Sequence, residues 1–203
     1  MEKLVICVGR QLGSGGCEIA RKLAEEFGLK FYDSELINMA AERSGFNPKI
    51  FARSDESHGA LQSLFSAFSG RMARFASVYG NSISQENLFQ IQSEVIFKAA
   101  KEGGCVFVGR CADYILRRSE NLFSVFITAN DEERTRVVSE RMGCDIATAR
   151  KYIEKKESER ASYYNFYTSK TWGAAESYDL CINSSILGID KTVEIIAQII
   201  RER

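Results

Sequence analysis

Between Leu4 and Phe27 the chain passes from a continuous apolar run, through a glycine cluster, into an apolar stripe of helical spacing, and few folds accommodate that succession. Leu4-Val5-Ile6-Cys7-Val8 reads as a buried strand, Gly13-Ser14-Gly15-Gly16 as a turn without bulky side chains, and Ile19, Ala20, Leu23, Ala24 and Phe27 as one face of a helix. Backbone N–H groups at such a helix start lack intrahelical partners and the dipole favours negative charge, so the segment predicts a phosphate-binding turn. The same glycines also suit a plain tight turn, and the segment alone does not choose between the two. A phosphate loop of the form G-x-x-x-x-G-K-S/T carries a lysine after its second glycine. With Gly15 as that glycine, Gly16 stands in the lysine place, Cys17 in the hydroxyl place and Arg10 in the first-glycine place. A dinucleotide fingerprint fits less well, because it needs glycine where Glu18 stands.

The remaining pattern decides the architecture. Gly28 ends the first helix and Leu29 to Tyr32 reads as a second strand leading to Asp33. From Ser34 to about Lys101 the apolar spacing is helical, with a polar break from Pro48 to Gly59 and another at Gly80-Asn81-Ser82. Cys105-Val106-Phe107-Val108 and Leu122 to Ile127 are continuous apolar runs, as strands covered on both faces require. A helix with acids in its first turn follows at Asn130, and Arg134, Arg136 and Arg141 project from it. A basic and aromatic stretch runs from Lys151 to Trp172, then a fifth strand at Leu180 to Asn183 and an amphipathic helix from Ile189 to Ile200. Strands separated by helices predict an α/β fold with a doubly wound, five-stranded parallel sheet, in one domain over residues 1–203.

Composition narrows the partners. The 27 basic and 27 acidic side chains cancel, which argues against a general nucleic-acid or anionic-membrane surface and leaves room only for a local basic site. Six cysteines are scattered without a C-x-x-C pair, and they read as reduced, mostly buried thiols of a cytoplasmic protein. The single histidine, His58, lies in a polar stretch and reads as a surface loop residue. The start of the chain leads straight into a strand, so no signal peptide is expected, and no apolar run approaches the ~20 residues of a membrane span.

In a doubly wound sheet, ligands collect at the carboxyl ends of the strands. There the sequence puts Arg10 and Gln11 before the glycine turn, Asp33, then Gly109-Arg110-Cys111-Ala112-Asp113, Thr128-Ala129-Asn130, and Asn183-Ser184-Ser185. Arginines, a carboxylate and a glycine cradle at one edge suit a phosphoryl donor, an acceptor phosphate and magnesium. Asp33 also suits a plain helix cap, and Arg110 a surface ion pair.

The runs G-R-Q-L-G-S-G-G-C-E-I-A from Gly9, F-Y-D-S-E-L-I from Phe31, V-F-V-G-R-C-A-D-Y-I-L from Val106, F-I-T-A-N-D-E-E-R from Phe126 and Y-D-L-C-I-N-S-S from Tyr178 together resemble the cytidylate kinase-like proteins. These are P-loop relatives of the nucleoside monophosphate kinases, and the branch resembles this chain in placing R-Q before the glycines and no lysine after them. The resemblance covers nearly the whole chain and implies a helical acceptor-binding region at 34–101 and a mobile lid at 157–175. It also implies that Arg160 is the lid arginine, with Lys156 nearby.

On that basis ATP is the expected donor, on Gln11, Gly13, Ser14, Gly15, Gly16, Cys17 and Arg134. Arg10 is the expected substitute for the lysine, since a guanidinium clamps phosphate oxygens bidentately, and it acts with Arg110 and Arg160. Asp33, Arg110, Asp113 and Lys156 are expected at the acceptor, a nucleoside monophosphate such as CMP or dCMP. Magnesium would fall to Ser14 or Glu18, because Cys17 offers sulfur to a cation that prefers oxygen. The aromatics Tyr163, Tyr164, Phe166, Tyr167 and Trp172 either pack the lid or stack on a base or partner. Two other readings stay open: a non-catalytic nucleotide-binding module, and a kinase of another small phosphorylated or hydroxylated metabolite.

Overall fold

The computed structural model describes residues 3–38 and 85–203; the expected breaks at Pro48 and Gly80, the helical runs between them and His58 lie outside these residues. Strands β1 (Val5–Arg10), β2 (Lys30–Tyr32), β3 (Cys105–Val108), β4 (Leu122–Thr128) and β5 (Leu180–Asn183) form one five-stranded sheet in the order β2-β3-β1-β4-β5. Every neighbouring pair is parallel, with Val5 opposite Cys105 on one side of β1 and Leu122 on the other. The architecture is the expected one.

Strand alternation builds the layers. Ile6 and Val8 face a cluster that includes Ile19, Ala20 and Leu23 of α1 (Gly16–Glu26) and Ile196 from the last helix, Ser184–Arg201. Val5 and Cys7 face the other way, toward Val95, Ile96 and Ala99 of α2 (Gln85–Glu102), and toward Ala112, Ile115 and Leu116 around the short α3 (Ala112–Ile115). Burying Ile19 and Leu23 stabilises the fold by about 1.5–3 kcal/mol each, and Leu23→Ala would cost about 2–5 kcal/mol. Helix α1 ends where Leu29 N–H reaches Ala24 O and Gly28 N–H reaches Glu25 O, which satisfies carbonyls that the helix leaves open.

Helices α4 (Asp131–Met142) and α5 (Ile146–Thr168) pack through Val138, Ala149 and Ile153. Asp145 caps α5 by accepting from Thr148 N–H at 2.9 Å, and no glycine or proline interrupts the next 23 residues. For that reason the first part of the expected lid, up to Thr168, continues α5 rather than forming a separate element. Beyond it, Trp172 and Tyr178 close on Phe126 of β4 at 5.1 Å and 4.9 Å between ring centroids. α6 (Ser184–Arg201) completes the chain.

The thiols depart from the expectation. Cys7, Cys105 and Cys111 are buried, whereas Cys17 and Cys181 are exposed and Cys144 is intermediate. Cys17 lies on the open first turn of α1, and Cys181 on edge strand β5, where covering is incomplete.

After β1 the chain runs to the α1 face of the sheet, and after the adjacent β3 it runs to the opposite, α3 face. The two exits diverge and leave a crevice at their carboxyl ends.

Candidate active site

One wall of the crevice is the glycine turn. Gly15 caps α1 with φ +71°, a conformation in which a Cβ would also run into the Ile189 side chain. No side chain caps this helix start, so its first N–H groups remain open to an anion. Other loop residues are fastened to the scaffold. Gln11 N–H donates to Ile127 O at 3.0 Å, and Gln11 Oε1 accepts from Ala129 N–H at 3.3 Å. Ser14 is buried, its hydroxyl donates to Gln11 O at 2.9 Å, and its carbonyl accepts from the Ser184 hydroxyl at 2.8 Å.

The second wall follows β3. Gly109, Arg110 and Cys111 have φ of +78°, +55° and +56°, three left-handed residues in succession of which only the first is glycine. At Gly109 φ is +78°, which favours glycine, and the Arg10 guanidinium lies where a Cβ would stand. Left-handed strain in a non-glycine residue costs on the order of 1–3 kcal/mol and clusters at functional sites. Here it carries Arg110 into the crevice, where its Nε is buried without a hydrogen-bond partner and its guanidinium lies 5.4 Å from the Tyr163 ring centre.

The third wall is α5. Arg160 Nη1 donates to Arg10 O at 3.3 Å, and Lys156 pairs with Glu159 at 2.7 Å. Between the end of β1, the β3 exit and α5 lies a cavity of about 390 Å³ lined by Arg10, Arg110, Lys156, Glu159, Arg160, Asp113, Ser34, Cys7, Tyr163, Tyr164, Trp172 and Tyr178, among others, whereas the expected donor residues Gln11, Gly13, Ser14, Gly15, Gly16 and Cys17 are not part of its lining. Five of the expected residues, Arg10, Arg110, Asp113, Lys156 and Arg160, therefore meet in one place.

Electrostatics there favour an anion. Burial, with Arg160 and Arg110 close by, lowers the Arg10 pKa to about 10 against the opposing pull of Cys17 and Asp33. Burial also lowers that of Arg160. Both remain cations at neutral pH, so the cleft holds concentrated positive charge that a phosphate would relieve. Burial raises the pKa of Asp113, although Tyr164 OH donates to its Oδ2 at 2.6 Å. Tyr163, Tyr164 and Tyr178 are likewise raised by burial and act as neutral phenols.

Other expected residues lie apart from the cavity. Asp33 Oδ1 accepts from Glu35 N–H and Leu36 N–H at 3.0 Å and 2.9 Å, which is a helix cap. Arg134 is 8% exposed and paired with Glu157 at 2.6 Å and Asp131 at 3.2 Å. Glu18 is 60% exposed and leans toward Lys22 at 4.0 Å. With the Ser14 hydroxyl turned into its own loop and Glu18 exposed beside Lys22, the two expected residues do not converge on a magnesium position. Arg10 also differs in direction from a loop lysine: its side chain crosses Gly109 and reaches Ser34 Oγ at 3.4 Å, so its charge sits between the two exits. Sequence reasoning did not single out Ser34, Tyr178 or Glu157. For Glu157 a signal existed, since it precedes Arg160 by one helical turn within a charged run.

The sequence model of the cytidylate kinase-like family matches residues 5–186. Cytidylate kinase from Pyrococcus horikoshii is 25% identical over 186 residues, covering 91% of this chain and 81% of that protein. Among solved structures, an uncharacterized protein from Eubacterium ventriosum aligns with a TM-score of 0.76 at 28% identity, over 99% of this chain and 100% of that one. Shikimate kinase from Bacteroides thetaiotaomicron aligns with a TM-score of 0.54 at 12% identity over 98% of each chain, a likeness of fold.

Proposed function

The chain belongs to the cytidylate kinase-like family, and from that premise we propose that it is a cytoplasmic, ATP-dependent phosphotransferase acting on a nucleoside monophosphate, CMP or dCMP. The observation that carries this reading is the convergence of Arg10, Arg110, Lys156 and Arg160 on one cavity beside an uncapped helix start. Donor phosphates rest on the N–H groups of α1, the acceptor phosphate takes the unpartnered Nε of Arg110, and Arg10 between them neutralises charge on the transferring group. Phosphoryl transfer needs positioning and charge stabilisation more than covalent chemistry, and this cleft supplies both without a loop lysine. Arg160 on α5 shields the reacting group from water, which otherwise competes with the acceptor.

A coupled assay with ATP and magnesium across all ribo- and deoxynucleoside monophosphates tests the proposal. ADP release that depends on CMP or dCMP supports it. Release that depends on none of them, together with ATP binding, would mark a non-catalytic module or a kinase of another metabolite.

A further inference from the structure

Glu157 makes two contacts with one oxygen. Its Oε1 accepts from the backbone N–H of Leu12 at 3.0 Å, inside the glycine loop, and from Arg134 Nη1 at 2.6 Å. The ion pair is nearly dry, with side chains 8% and 18% exposed, and Arg134 Nε is buried without a partner. Arg134 belongs to the same loop environment, because a Cβ on Gly13 would stand 2.7 Å from Arg134 O. One helical turn further along α5, Arg160 holds Arg10 O. Thus a carboxylate from α5 occupies an N–H donor and a cation at the glycine turn, the donor types that bind phosphate oxygens.

We propose that Glu157 is an internal anion that competes with donor phosphate at the glycine loop and ties α5 to it until phosphate displaces it. An incoming phosphate oxygen takes over the Leu12 N–H and Arg134, and the carboxylate is released to solvent. Because Arg160 is on the same helix, the same displacement frees it from Arg10 O for the transferring group. The inference rests on the donor site proposed above and adds that occupancy of this site sets the position of α5.

Glu157→Gln tests it, since the amide keeps the size and an acceptor oxygen but removes the charge that competes with phosphate. Inorganic tripolyphosphate and ADP are titrated into wild type and variant by calorimetry without metal. The expected result is binding about five- to tenfold tighter in the variant, as a charge-assisted competitor has been exchanged for a neutral one. Glu157→Asp covers the case in which the Gln variant does not fold, because it keeps the charge and withdraws it by one methylene; tighter binding is expected there too. A merely structural Glu157 would loosen the loop and weaken binding, so equal or weaker binding overturns the inference while leaving the donor site standing. Binding of neither ligand by any of the proteins would overturn the donor site, and the inference with it.

Discussion

The chain leaves neighbouring strands β1 and β3 at the same edge by a left-handed turn followed by a helix, yet the two exits are built in opposite ways. After β1 the left-handed residues are Gly13 and Gly15, and the turn opens an 11-residue helix. After β3 the left-handed residues include Arg110 and Cys111, and the helix that follows has 4 residues. The first exit clears away side chains and leaves backbone N–H groups and the positive end of a helix dipole at the turn. The second tolerates backbone strain so that a guanidinium reaches the cleft. Arg10 belongs to the first exit by sequence and lies across Gly109 of the second, and so joins the two.

The strongest way to break this picture is Arg10→Ala. Turnover with the true acceptor is expected to fall about a hundredfold, roughly 3 kcal/mol of transition-state stabilisation. Undiminished turnover would move that role to Arg110 and Arg160. The two exits are separated most clearly by a pair of substitutions measured in urea. Gly15→Ala should cost about 2 kcal/mol of stability, because φ is +71° and Ile189 fills the space. Arg110→Gly should leave stability within about 1 kcal/mol of wild type while turnover collapses, since glycine relaxes the φ of +55° and removes only the functional group. Equal losses of stability in the two variants would erase the distinction.

A smaller effect is expected at α5. Arg160→Ala should reduce turnover roughly tenfold and change ATP affinity much less, because the phosphate contact proposed for it belongs to the reacting complex. A change confined to affinity would place Arg160 at the donor instead. The smallest effect concerns Asp113, whose pKa is raised by burial, so that the folded protein holds this proton more tightly than the unfolded chain does. Its contribution to stability is fullest below the unfolded value of about 3.9 and declines as pH rises through the folded value. Asp113→Asn lacks that decline, so unfolding midpoints of the variant should improve relative to wild type as pH rises above the unfolded value. Parallel pH profiles would show that Asp113 does not titrate differently on folding.

Much of this was legible in the chain because it is local. Continuous apolar runs at Val5–Val8 and Cys105–Val108, glycine turns and helical stripes specify strands and helices over a few residues, and their alternation leads to a parallel sheet. Arg10, Arg110 and Asp113 could be picked out because they follow strands, and Lys156 and Arg160 through the family resemblance. Side-chain direction was not legible. Gln11 and Ser14 have the residue types of ligand-binding groups, but Gln11 fastens the loop to the end of β4, and the Ser14 hydroxyl bonds within the loop while its carbonyl takes Ser184 from α6.

The sequence by itself determined the strand, the glycine turn and the helix start, since these need only neighbouring residues to form. Only the tertiary structure decided which charges gather around that turn. Leu12 and Glu157 are 145 residues apart, and Arg10 and Arg160 are 150 apart. Those contacts exist because α5 packs across the carboxyl edge of the sheet, and the direction of a side chain over such a separation is set by packing, which no local pattern encodes.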